Sequence, residues 1–195
     1  MVRTAQGEWR LSAPLFKLVL TAHIVVSVGW LGIVVAKLAL GLAAAAAGEP
    51  GPAISLYRSM SVIDRFFPPA AIATIATGVL LSLGTKWGLF RYYWVVVKLV
   101  LTVAVPATAI PIVDGLVQRS IAASSEPLVP ESAILGMAAA PAILIALTGA
   151  HALMLGAAAV ISVFKPWGKT WLGRRTAARP TTGRRETGLM RLAGG

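Results

Sequence analysis

Four apolar runs, each long enough to cross a bilayer, constrain this chain more than any other feature. A hydrocarbon core about 30 Å thick is spanned by about 20 residues of helix at about 1.5 Å rise per residue. The first run lies within 15–47, with His23 and Lys37 the ionisable residues of its interior. The others lie near 66–83, 94–113 and 134–164. Each is apolar around its whole circumference, which suits a spanning helix and not one lying on a surface. With 57% hydrophobic and 13% charged residues, a water-soluble globule of 195 residues could not cover itself in polar side chains. Disorder is excluded for the same reason. The first run is longer than the h-region of a signal peptide, about 7–15 residues, so it is expected to stay as a transmembrane helix.

Breakers separate the runs. Gly48-Glu49-Pro50-Gly51-Pro52 ends the first, Gly84-Thr85-Lys86-Trp87-Gly88 is a tight turn, and Ser124-Ser125-Glu126-Pro127 marks the third connection. Lys165-Pro166-Trp167-Gly168-Lys169 stops the last. Asp64 and Arg65, before Pro68-Pro69, read as a solvated loop, with a polar cluster at the outer face as the alternative. Small residues at packing intervals (Gly29, Gly32; Ala70, Thr74, Gly78; Gly149, Gly156) predict close helix contacts. Prolines 106, 111 and 141 predict bends.

The net charge of +11 would ordinarily suggest nucleic acid, but its distribution points elsewhere. The N-terminus, second loop and C-terminal tail together hold Arg3, Arg10, Lys17, Lys86, Arg91, Lys98 and the eight Lys/Arg from Lys165 to Arg191, which makes 14. The other side holds four, namely Lys37, Arg58, Arg65 and Arg119. The positive-inside rule puts the first group in the cytoplasm. Trp9, Trp87, Tyr92, Tyr93, Trp94, Trp167 and Trp171 cluster at the same boundary, as an aromatic belt does. The expected fold is therefore all-α, a four-transmembrane-helix antiparallel bundle with both termini cytoplasmic, in a bacterial inner membrane. A cytoplasmic segment 1–13 precedes a transmembrane domain 14–164 with helices at about 15–45, 66–84, 92–113 and 134–164. A basic, disordered cytoplasmic tail follows at 165–195. Anionic lipids are the expected partners of that tail, at about 1 kcal/mol per basic residue, and no nucleic acid is expected.

No cysteine is present, so thiolate metal sites and iron–sulfur clusters are excluded. The chemistry falls to the ionisable groups inside the membrane: His23, Lys37, Lys98 and His151. One histidine on each of two neighbouring helices is the arrangement that holds a b-type haem between two imidazoles. Ser27 and Thr148, one turn away, could orient the rings. Lys98 could pair with a haem propionate, take part in proton transfer, or snorkel to the headgroups, and Lys37 is expected to snorkel toward the outer face. Copper on His151 and Met154, three residues apart on one helix face, is the weaker metal reading. The bland alternative is that the two histidines serve only packing.

Several stretches carry a resemblance: Phe16-Lys17-Leu18-Val19-Leu20-Thr21-Ala22-His23, Gly29-Trp30-Leu31-Gly32, Leu56-Tyr57-Arg58, Pro69, Gly78 and Trp94-Val95-Val96-Val97-Lys98-Leu99. They make the chain similar, over about residues 15–105, to small bacterial multi-helix membrane proteins. That group includes the HemJ-type protoporphyrinogen oxidases, the copper-resistance D membrane domains and a further family of integral membrane proteins without an assigned function. The resemblance is greatest to the last. The HemJ-type resemblance implies a bound b haem and functional roles for His23 and Lys98. It supplies no counterpart for His151, and the basic residue that follows a proline at the end of the first helix is missing here. The leading expectation is a small haem-binding redox protein, with His23 and His151 as iron ligands and Lys98 assisting, working with a membrane redox partner or as a homo-oligomer. Its rivals are a carrier of a metal ion or small solute, and a non-catalytic membrane subunit or assembly factor.

Overall fold

The computed structural model describes residues 2–3, 9–85, 87–125 and 139–177. Two two-residue strands, Val2–Arg3 and Trp9–Arg10, pair at the N-terminus. All else that is regular is helix: α1 (Ala13–Ala46), α2 (Pro50–Asp64), α3 (Phe67–Leu83), α4 (Tyr93–Ser125), α5 (Ala140–Phe164) and α6 (Trp171–Ala177). Four rods are long and apolar enough to span a membrane: α1, the α2–α3 pair as one, α4 and α5. The first part of the expected fourth helix, 134–138, lies outside the described residues.

Two boundaries differ from the sequence reading. The segment 50–64 is helix, not loop, because Pro50 and Pro52 occupy the first turn, where a missing N–H costs nothing. The break between α2 and α3 at Arg65–Phe66 follows from Pro68 and Pro69. Neither can donate to the carbonyl four residues back, so Asp64 and Arg65 lose their helical partners. In addition α4 runs to Ser125, twelve residues past the expected end at 113. Asp114 and Arg119 remain helical because both are exposed.

The rods close a ring: α1 packs against α3 and α5, and α4 against α3 and α5, with α2 wedged between the ends of α1 and α4. Trp30, Val34, Tyr57, Met60, Val105, Val113 and Leu144 fill its centre. Outside runs a belt of exposed apolar side chains, from Tyr93 to Ile112 on α4 and from Ile143 to Phe164 on α5. These stretches measure about 28 Å and about 31 Å, which matches a hydrocarbon core. Beyond Ile112, α4 continues for about 18 Å with Asp114 and Arg119 exposed, and α2 lies beside this extension.

The small residues that permit close approach are not all the expected ones. A side chain on Gly29, Gly32 or Gly156 would meet nothing within 4 Å. Gly78, one of the expected ones, lies tight against the His23 ring of α1 at 3.1 Å, and Gly41 faces Ile145 at 3.4 Å and Met60 at 3.9 Å, where α1, α2 and α5 converge. Gly41→Ala is expected to fold normally, whereas Gly41→Leu should force these helices apart and lower the thermal midpoint in detergent by several degrees. Equal melting of the two variants would contradict this packing.

Candidate functional site

Each intramembrane ionisable residue has a partner on another helix, and these partners define two polar layers. In the first, the His23 ring of α1 lies against Gly78 of α3, where an added Cβ would sit 3.1 Å from His23 Cε1. Its Nδ1 bonds Thr77 Oγ1 at 2.9 Å. That hydroxyl also lies 2.7 Å from the Ala73 carbonyl, and when its single proton goes there it accepts from the imidazole. In that arrangement His23 would carry its hydrogen on Nδ1 and keep its other lone pair on Nε2. Lys98 of α4 acts electrostatically on His23, while its Nζ donates to Ser162 Oγ of α5 at 3.2 Å.

The second layer is built by Lys37, Asp64, His151 and Thr108. Lys37, 2% exposed, forms an ion pair with Asp64 and sits 5.2 Å from the centre of the Phe67 ring. Lys37 is therefore no snorkeller and Asp64 no loop residue. Placed as α2 ends, Asp64 turns inward to neutralise a buried ammonium, and it keeps 28% of its side chain in contact with solvent. Arg65, next to it, is exposed. On α5, His151 is 2% exposed and its Nε2 bonds Thr108 Oγ1 of α4 at 2.8 Å. Thr108 Oγ1 lies equally close to the Ala104 carbonyl, at 2.8 Å, and donation there would put the His151 hydrogen on Nε2. The Lys37 charge acts on His151. The two histidines are thus each held by a threonine of a neighbouring helix, through opposite ring nitrogens.

Ser27 and Thr148 do not orient the rings as expected. Their hydroxyls turn back onto their own helices, to Ile24 and Leu144. Nor do the histidines share a layer. Gly41 faces Ile145 and Gly149 faces Leu38, a register that sets His151 level with the Lys37 turn of α1. His23 lies about 20 Å away along the axis. Two imidazoles so far apart cannot clamp one haem iron, which needs both ring nitrogens within bonding distance on opposite faces. Among the described residues, no three His, Asp or Glu side chains group as metal ligands do. His151 and Met154 stand alone as a copper pair.

Between the layers lie two buried polar atoms without a hydrogen-bond partner, Thr74 Oγ1 and Trp30 Nε1. Thr74 is 5% exposed and Trp30 0%. His23 lies beside Thr77 and Gly78, and Lys37 beside Asp64, so α1 keeps constant register with α3 and then α2. That register puts Thr74 one turn beyond His23, and Trp30 follows on α1 before Phe67 and Lys37. Polar groups thus recur along the α1–α3 seam in steps of about 5–10 Å.

These features define an all-helical, multi-pass membrane protein with a polar seam between two histidine–lysine layers. Compared with known protein families, curated proteins and solved structures, the chain matches none.

The ion pair gives a sharp expectation. Asp64→Asn strands a buried ammonium and should cost about 3 kcal/mol, the low end for such pairs because Asp64 partly reaches solvent. Adding Lys37→Met should recover most of the loss, since a neutral pair has no charge to strand. Thermal melting of the two variants in detergent checks it, and a double variant no more stable than Asp64→Asn would refute the pairing.

Proposed function

We propose that this is a bacterial inner-membrane protein, an antiparallel four-span bundle with both termini cytoplasmic, whose α1–α3 seam conducts protons between its two histidine–lysine layers. The observation that carries this reading is the pair of unpartnered buried polar atoms, Thr74 Oγ1 and Trp30 Nε1, between His23 and Lys37. A buried donor or acceptor left without a partner costs about 1–3 kcal/mol, and a bridging water removes that cost. Water held at these two atoms would join the layers into one chain. Asp64, the one member of its layer with a carboxylate and access to solvent, is the entry. A proton taken up there neutralises the carboxylate and releases the Lys37 ammonium. Lys37 can then give a proton to the seam and recover one from Asp64. At the other end a lone pair of the neutral His23 ring receives it.

A membrane potential drives such a movement with about 2.3 kcal/mol per charge per 100 mV. Reconstituted protein should therefore change the internal pH of vesicles carrying a potassium diffusion potential, read with an entrapped pH dye. His23→Gln and Asp64→Asn should each slow the change at least tenfold. Wild-type vesicles indistinguishable from empty ones would end the proposal.

Haem is the second reading, favoured by one observation: His23 Nδ1 is anchored by Thr77, as the second nitrogen of an axial imidazole ligand is. His23 alone would then ligate iron, and Lys98 would be its cationic neighbour. A Soret band in purified protein that disappears in His23→Ala supports it, and colourless protein from haem-replete cells removes it.

The absence of native cysteines makes the topology directly measurable. Ser125→Cys should react with an impermeant thiol reagent added outside intact cells, and Gly168→Cys only after lysis. The reverse pattern would invert the bundle.

A further inference from the structure

The two ends of the bundle close differently. At the basic end the chain turns back after α5, where the Thr170 N–H donates to the Arg91 carbonyl at 3.0 Å and α6 follows. This part is not the free tail its composition suggests, and 178–195 lies outside the described residues. At the opposite end, where α1 gives way to α2, four helix ends leave an open cleft of about 390 Å³. The last turns of α1 and α4 and the first turns of α2 and α5 line it. That volume falls within the range of small-molecule sites, about 300–1,000 Å³. On α4 the cleft reaches Ser124, about 18 Å beyond Ile112 and the apolar belt, so it is open to water. It shares no residue with the proton seam, and either can fail alone.

The cleft is rich in acceptors and poor in donors. Glu49 is its one charged lining residue, and it is exposed. Among the described residues, the Glu49 carboxylate makes no ion pair and no capping bond. The carbonyls of Ala45, Ala47 and Gly48, where α1 ends, accept no backbone hydrogen bond from the described residues. They also form the negative end of the α1 dipole. A helix start beside them would ordinarily supply free N–H groups, but here proline removes them. Pro50 and Pro52 carry none, and the Ala53 N–H is spent on the Glu49 carbonyl at 3.5 Å, so the first turn of α2 keeps only that of Gly51. Pro141 removes another from α5. The remaining wall is alanine methyls and the Tyr57 side chain, 2% exposed. An anion would meet an unpaired carboxylate and few donors, and a metal ion would meet a single carboxylate. A cation that brings its own N–H donors on a short apolar stem matches both the acceptors and the methyls.

We propose that this cleft binds a small primary alkylammonium compound, its ammonium held by the Glu49 carboxylate and the last carbonyls of α1, its stem against the alanines and Tyr57. Isothermal titration of the full-length protein in detergent with n-butylammonium chloride should give saturable binding at one site. Glu49→Gln should weaken it at least tenfold, the effect of losing a charge-assisted hydrogen bond, with the thermal midpoint unchanged. Asp114→Asn removes an exposed carboxylate of the same end that does not line the cleft, and should leave binding as it is. Tetramethylammonium carries the charge without N–H donors and should bind at least tenfold more weakly than n-butylammonium. Butyrate, a similar stem with the opposite charge, should not bind. No saturable heat with wild type, undiminished binding in Glu49→Gln, or equal binding of either control compound would each overturn the proposal. Equal weakening by Asp114→Asn and Glu49→Gln would also overturn it, by showing a diffuse surface field in place of a site.

Discussion

An ammonium group inside an apolar bundle must be matched by an anion, and much of this structure follows from how Lys37 is matched. Its counter-ion, Asp64, comes from a different rod, so the pair sets the register of α1 against α2–α3. The same register brings His23 to Thr77 and Gly78 at one end and Gly41 to Met60 at the other. The proline-induced break at Arg65–Phe66 lies immediately beside the carboxylate and frees the backbone carbonyl of Asp64 as well. One interaction thus ties together the bend in the second rod, the packing of its two halves and the polar layer near one edge of the belt.

Threonine does the corresponding work for the histidines. A helical threonine that donates to the carbonyl four residues back has only lone pairs left to offer, and an imidazole beside it must donate. Thr77 holds His23 and Thr108 holds His151, through opposite ring nitrogens. Gly78 contributes by letting the His23 ring approach the α3 backbone, which a larger residue would prevent.

Much of the scaffold was legible from the chain alone, because the periodicity and length of apolar runs report directly on how they partition into a bilayer. The four rods and the aromatic group around Trp87 and Trp94 needed no contacts to be recognised, nor did the presence of His23, Lys98 and His151 inside the rods. The errors came where polar residues lie near a rod end. Asp64 and Arg65 look alike beside two prolines, yet one turns inward and the other outward, and nothing local distinguishes them. Lys37 looked free to reach a headgroup for the same reason, since its partner is 27 residues away. Helix α2 was missed because its apolar residues are few, and burial of Tyr57 and Met60 between α1 and α4 supplies what its own sequence lacks.

The sequence by itself determined that this chain must be helical and long enough in four places to cross a membrane, because an unsatisfied backbone in lipid leaves no other solution. It also determined which side chains are expensive to bury. Only the tertiary structure decided where those side chains meet. Partner choice is a matter of register between rods, and a shift of one turn, about 5.4 Å, would replace every pairing without altering any run of apolar residues. That register separated the two histidines by about 20 Å, gave each a threonine and a lysine, and left two polar atoms unpartnered between them.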